Sequence, residues 1–105
     1  MSAALRQYQC QAVRAASPAQ IVDKLYGIGV AAARAGDGTR TRRALVELTA
    51  ALDYERGGEV AVGLGALYDY ALRAANDGDL DGVAEILGGL RGAWREATLG
   101  APLAA

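Results

Sequence analysis

The sequence predicts an all-α fold: an antiparallel four-helix bundle with an additional short N-terminal helical segment. Three observations carry this. Apolar residues recur at three- and four-residue spacing through four successive segments. Short turn signals, most of them containing glycine, separate those segments, and short connections join antiparallel neighbours. No stretch sustains the period-two alternation of a half-buried strand. The 105 residues are read as a single domain, 1–105, and a hydrophobic content of 52% suffices for a core of modest size.

Residues 1–16 carry a weak helical signal anchored by Leu5, Tyr8 and Val13. Ser17-Pro18-Ala19-Gln20 then reads as a capping box with proline at the first helical position. The helix that follows places Ile21, Leu25, Ile28 and Ala32 on one face, with Val22, Tyr26 and Ala33 beside them, and Gly36-Asp37-Gly38 ends it. A second helix starts near Thr39 or Thr41, carries Leu45, Leu48 and Leu52, and is expected to stop at Gly57-Gly58. A third runs from about Glu59 to Ala75 with Val60, Leu64, Leu67 and Ala71 on one face. After the turn Asn76-Asp77-Gly78-Asp79, the last helix shows a stripe of Val83, Leu87, Leu90, Trp94 and Ala97. Residues 99–105 are read as a loose tail.

Composition removes several functions. A net charge of −1 gives no footprint for nucleic acid, and Arg40-Thr41-Arg42-Arg43 reads as a solvated helix start. No segment has the apolar length of a signal peptide or a membrane span, so the expected location is the cytoplasm. The single cysteine, Cys10, excludes an internal disulfide framework. The absence of histidine removes the commonest neutral-pH base and metal ligand. The remaining candidate carboxylates, Asp53, Glu55, Glu59 and Asp69, form no catalytic pair: Glu59 and Asp69 lie nearly three helical turns apart. The chain is therefore not read as an enzyme.

Two motifs imitate sites. Asp77-Gly78-Asp79-Leu80-Asp81-Gly82 matches the first half of a calcium loop, but the twelfth position, where a bidentate glutamate belongs, is Gly88. Gly27-Ile28-Gly29 and Gly63-Leu64-Gly65 lack the third glycine and the preceding strand of a dinucleotide fingerprint. No metal and no cofactor is nominated. Glycines inside helices cost about 1 kcal/mol each relative to alanine. They are read either as close helix packing or as a surface kept shallow for another chain. Tyr68 and Tyr70, two residues apart, cannot face the same core, so one is expected at the surface as an interaction anchor.

The stretch Leu52-Asp-Tyr-Glu-Arg-Gly-Gly-Glu-Val-Ala61, followed by Leu67-Tyr-Asp-Tyr70, resembles the "LDFEKGGEIA…NL…LYDY" signature of the FliS family of flagellar secretion chaperones. Leu90-Arg-Gly-Ala-Trp-Arg-Glu-Ala97 is similar to that family's "LRDAWKEA" ending. Tyr8, Ala16-Ser17-Pro18-Ala19-Gln20 and Leu25-Tyr26 match "AY…ASPQ…LY". The resemblance runs from about residue 5 to 98. It implies a cytoplasmic, non-enzymatic chaperone that binds the C-terminal segment of flagellin, prevents premature polymerisation and holds it ready for the flagellar export gate. It further implies a client groove along Val22, Leu25, Tyr26 and Gly29 on one helix and Leu64, Leu67 and Tyr68 on another. Leu5 and Tyr8 would form an N-terminal cap that covers the groove and contacts the export gate. The sequence departs from the family at Gly27, where "LYDGA" loses its acidic residue, and at Gly63, which replaces an asparagine. Two other roles stay open: a diverged paralogue serving another flagellar or secretion protein, and a self-associating structural bundle. The chain is expected to be a monomer or a homodimer.

Overall fold

Four helices with three-residue connections make up the fold: α1 (Pro18–Arg34), α2 (Gly38–Ala50), α3 (Tyr54–Asn76) and α4 (Leu80–Trp94). A π-helical turn, Arg95–Leu99, extends α4. These are the elements of a computed structural model that describes residues 17–99; the expected N-terminal segment, with Leu5 and Tyr8, lies outside them, as does the tail from residue 100 onward. Among the described residues there is no strand. The all-α bundle expected from periodicity is the fold observed.

Each helix begins on a side chain that satisfies an otherwise orphaned backbone N–H. Ser17 and Gln20 form the reciprocal capping box, with N–H···O distances of 3.1 and 2.9 Å. Asp37, Asp53 and Asp79 accept from the N–H groups of Arg40, Arg56 and Gly82 at 3.1, 3.1 and 3.0 Å. Asp79, the central acidic residue of the calcium-like motif, is thus the cap of α4. Two connections share one construction. Gly36 (φ 74°) and Gly78 (φ 85°) take the left-handed conformation after α1 and α3, and the next residue, Asp37 or Asp79, caps the following helix.

The third connection lies elsewhere than expected. α2 ends at Ala50, and the chain reverses through Ala51–Asp53 rather than at Gly57-Gly58. Asp53 starts α3 instead of finishing α2, because its carboxylate caps Arg56 while Glu55 meets the positive end of the new helix. Gly58 (φ 50°, ψ −126°) is a kink one turn into α3, where helical geometry lapses before it resumes at Glu59.

α1 packs against α2 on one side and α4 on the other, and α3 closes the square between them, diagonal to α1. The contacts from α1 to α4 run in opposite senses: Ala19 meets Trp94, Asp23 meets Arg91, and Gly29 lies against Leu87. This pair is therefore antiparallel. Tyr26, Leu45, Leu48, Val83 and Leu87 fill the centre, and Thr41 is buried with its hydroxyl donating to the Asp37 carbonyl at 2.7 Å.

Two expected faces are rotated. Ile28 is 45% exposed, and the buried side of α1 runs through Asp23, Tyr26, Gly29, Ala32 and Ala33. On α3, Val60 and Leu67 are exposed, and Ala61, Tyr68, Ala71 and Ala75 point inward. Both rotations follow from polar partners that periodicity weighs as ordinary residues: the Tyr26–Tyr68 hydrogen bond fixes which face of each helix turns in. Ala97 is exposed because the wider π-helical turn carries it off the α4 stripe.

Candidate functional site

At the end of the bundle where α1 begins, α2 ends, α3 begins and α4 ends, the four helices splay around a hollow of about 360 Å³. Val22, Leu48, Leu64, Tyr68, Val60 and Trp94 give it an apolar lining. Leu48 and Tyr68 are buried, Val22, Leu64 and Trp94 are half-buried, and Val60 stands 71% exposed at the edge. Asp53 and Arg56 contribute the charged rim, paired with each other at 3.7 Å. The kink at Gly58 sits between Arg56 and Val60, so the bend in α3 shapes this edge.

Two sets of polar contacts hold the hollow open from behind. The Tyr26 and Tyr68 hydroxyls share a buried hydrogen bond, and the Tyr26 ring meets Trp94 edge-on with centroids 6.4 Å apart. Burial pushes both phenols above the ordinary tyrosine range, so both are protonated near neutral pH. The Trp94 indole N–H donates to the Ala19 carbonyl at 2.8 Å, tying the end of α4 to the start of α1. Beside it, Asp23, only 7% exposed, accepts from the Arg91 Nε at 3.0 Å and the Arg95 Nε at 2.8 Å. The Arg91 hydrogen bond holds the Asp23 carboxyl below its usual range; burial opposes the shift, and Arg95 reinforces it.

The structure divides the residues expected in one groove. Val22, Leu64 and Tyr68 line the hollow together. Tyr26 lies in the core behind it, and Gly29 is buried, with Leu87 and Ala44 as its near neighbours. Leu25 lines a second, smaller hollow of about 330 Å³ between α1 and α2 with Ile28, Ala44 and Glu47. Leu67 is 42% exposed and lines neither. Sequence reasoning passed over Val60, Leu48 and Trp94 as site residues, taking them for core. The signal for Val60 was its place just after Gly57-Gly58, where a kink exposes what periodicity buries. Asp23 also passed unnoticed, although an aspartate three residues before a buried tyrosine on one helix face requires a partner.

An apolar hollow with one exposed ion pair at its rim is suited to receiving apolar side chains of another chain. Among the described residues, no group of three or more potential ligands could hold a metal ion, and no helix is long and apolar enough to cross a membrane. Fold and site together define a small helical-bundle protein with an apolar hollow at one end. Residues 32–101, two thirds of the chain, match the family described as flagellar protein FliS, and the chain belongs to that family. It is a family of chaperones for flagellar secretion, not of enzymes. The match begins inside α1, so Val22 and Asp23 lie outside it. No curated protein and no solved structure matches the chain.

Proposed function

We propose that this chain is the cytoplasmic export chaperone of a flagellin. It binds the client's C-terminal segment, keeps it from polymerising, and delivers it to the flagellar type III export gate without chemistry of its own. Family membership supports the chaperone role. The single observation that carries the rest is the hollow at the bundle end. Its lining brings together Val22, which lies between the Ala16–Gln20 and Leu25-Tyr26 parts of the "AY…ASPQ…LY" match, with Leu64 and Tyr68 of the "NL…LYDY" match, two of the stretches through which the sequence resembles the family. A client that folds on binding would place apolar side chains there and extend along the bundle.

The test is calorimetry with the C-terminal peptide of the flagellin from the same organism. One peptide per chaperone is expected, and Val60→Asp weakens binding by about tenfold, the cost of setting a carboxylate in an apolar contact. Val60 is the residue to change because it is exposed in the free protein. A charge at Tyr68, which is 2% exposed, would unfold the bundle and report nothing about the client. Absence of heat and of complex with the peptide overturns the reading.

A further inference from the structure

The outward face of α3 is apolar where a bundle helix is ordinarily charged. Val62 is 60% exposed and Tyr70 63% exposed, and Gly63 and Ala66 between them are exposed as well. With 100° per residue, Ala66 lies almost opposite the inward pole defined by Ala61, Tyr68, Ala71 and Ala75. Packing among the described residues does not explain Gly63: a Cβ there would meet none of their atoms within 4 Å. A helix glycine kept at such a cost, beside two exposed apolar side chains, leaves a notch that another surface can fill.

Two charges on this face are placed about Ala66 with a symmetry of opposite sign, and a third, Asp69, lies to one side of it and bonds Arg73 of its own helix. Glu59 lies seven residues before Ala66 and Arg73 seven after; Val62 lies four before and Tyr70 four after. All of these belong to the regular part of α3 beyond the Gly58 kink. A two-fold axis through Ala66, crossing two copies of α3 antiparallel, sets Glu59 of each copy against Arg73 of the other. It also sets Val62 against Tyr70, while Gly63, three residues before Ala66, faces Asp69, three after it. The Arg73 side chain is 77% exposed and bonds Asp69 of its own helix at 3.0 Å through Nη2 alone, which leaves its other donors for a second carboxylate.

We infer that α3 pairs with α3 of a second copy of this chain, antiparallel about Ala66, with Glu59–Arg73 ion pairs at both ends of the contact. The surface is separate from the hollow, whose α3 residues beyond the kink, Val60, Ala61, Leu64 and Tyr68, lie roughly 120° or more round the helix from Ala66, so the inference stands whatever client the hollow takes. One helix pair is a small interface, and a weak, reversible dimer in the micromolar range or above is expected.

Sedimentation velocity of the full chain from about 1 µM to about 500 µM tests this, spanning the affinities such an interface reaches. A monomer–dimer equilibrium is expected. Glu59→Arg and Arg73→Glu should each weaken it by about tenfold or more, since each turns two attractions into two repulsions. The double variant E59R/R73E should recover the wild-type constant to within a few-fold, and Ala66→Glu, which sets two carboxylates on the axis, should abolish association. All three sites are exposed, so circular dichroism should show an unchanged fold. A monomer throughout the range, a dimer indifferent to Ala66→Glu, or a double variant no better than the singles overturns the inference.

Discussion

Gly29 and Gly63 both sit inside helices, yet adding one methyl group to each should have opposite effects. A Cβ at Gly29 would come within 2.7 Å of the Leu87 Cδ1 and 3.4 Å of the Ala44 Cβ, and Leu87 is fully buried with little room to withdraw. Overpacking of this kind costs about 1–3 kcal/mol, more than the roughly 1 kcal/mol that alanine returns in helix propensity. At Gly63 the same methyl meets open space among the described residues, so only the propensity gain remains. Gly29→Ala should therefore lower the midpoint of urea unfolding in dilute protein, and Gly63→Ala should raise stability by about 0.5–1 kcal/mol. Equal shifts in one direction would show that the two backbones do not differ in packing. The sequence could announce that these glycines needed an account but not which account, because the neighbour at Gly29 lies on a helix almost sixty residues away. Spacing alone did separate the tyrosines: Tyr68 is 2% exposed and Tyr70 63% exposed, on opposite sides of α3 as two-residue separation requires.

Between elements, the strongest polar tie is Asp23, which draws α4 and its terminal turn onto α1 through Arg91 and Arg95. The folded protein lowers the carboxyl's pKa, chiefly through the Arg91 hydrogen bond. Its contribution to stability is complete above the unfolded value of about 3.9 and disappears as pH falls through the lower folded value. Stability should thus fall on acidification below about pH 4, and Asp23→Asn should flatten that part of the profile. At neutral pH the same variant should cost about 1–2 kcal/mol, less than the roughly 3–5 kcal/mol for a fully buried pair. Arg91 and Arg95 are 33% and 47% exposed and can turn to water once the carboxylate is gone. Urea titrations of both proteins between pH 3 and pH 7 check this, and parallel profiles would remove Asp23 as the cause. Helix limits marked by local chemistry were legible: Ser17 with Gln20, and the Gly-Asp pairs 36–37 and 78–79, act within a few residues. The boundary at 51–53 was not. A Gly-Gly pair and an aspartate cap compete there five residues apart, and capping decided it while the glycine only bent the helix. The arginine clasp was equally hidden, since its partners stand 68 and 72 residues from Asp23.

At the scale of the molecule, alanine supplies more than half of the buried apolar positions among the described residues, so the helices approach closely while each burial contributes little. The hollow at the bundle end is the counterpart of that economy, a place where four helix ends leave apolar surface without filling it. Its existence was illegible in sequence because it belongs to no single element. A bundle of this kind has a modest stability of its own, and a client seated in the hollow should add to it by mass action. At a peptide concentration one hundred times Kd, binding to the folded state alone adds about 2.7 kcal/mol. For a domain of this size, where 1 kcal/mol moves Tm by about 4–8 °C, the midpoint should rise by roughly 10–20 °C. Val60→Asp separates seating in the hollow from general stickiness. Val60 is exposed, so the variant without peptide should melt within about 2 °C of wild type. If its affinity is about tenfold weaker, the same peptide concentration adds only about 1.4 kcal/mol, and the rise in Tm should be near half that of wild type. Differential scanning calorimetry of both proteins, with and without the flagellin peptide, reads all four midpoints. An undiminished rise in Val60→Asp would place the client on some other surface of the bundle. No rise in either protein would mean that this peptide is not the client.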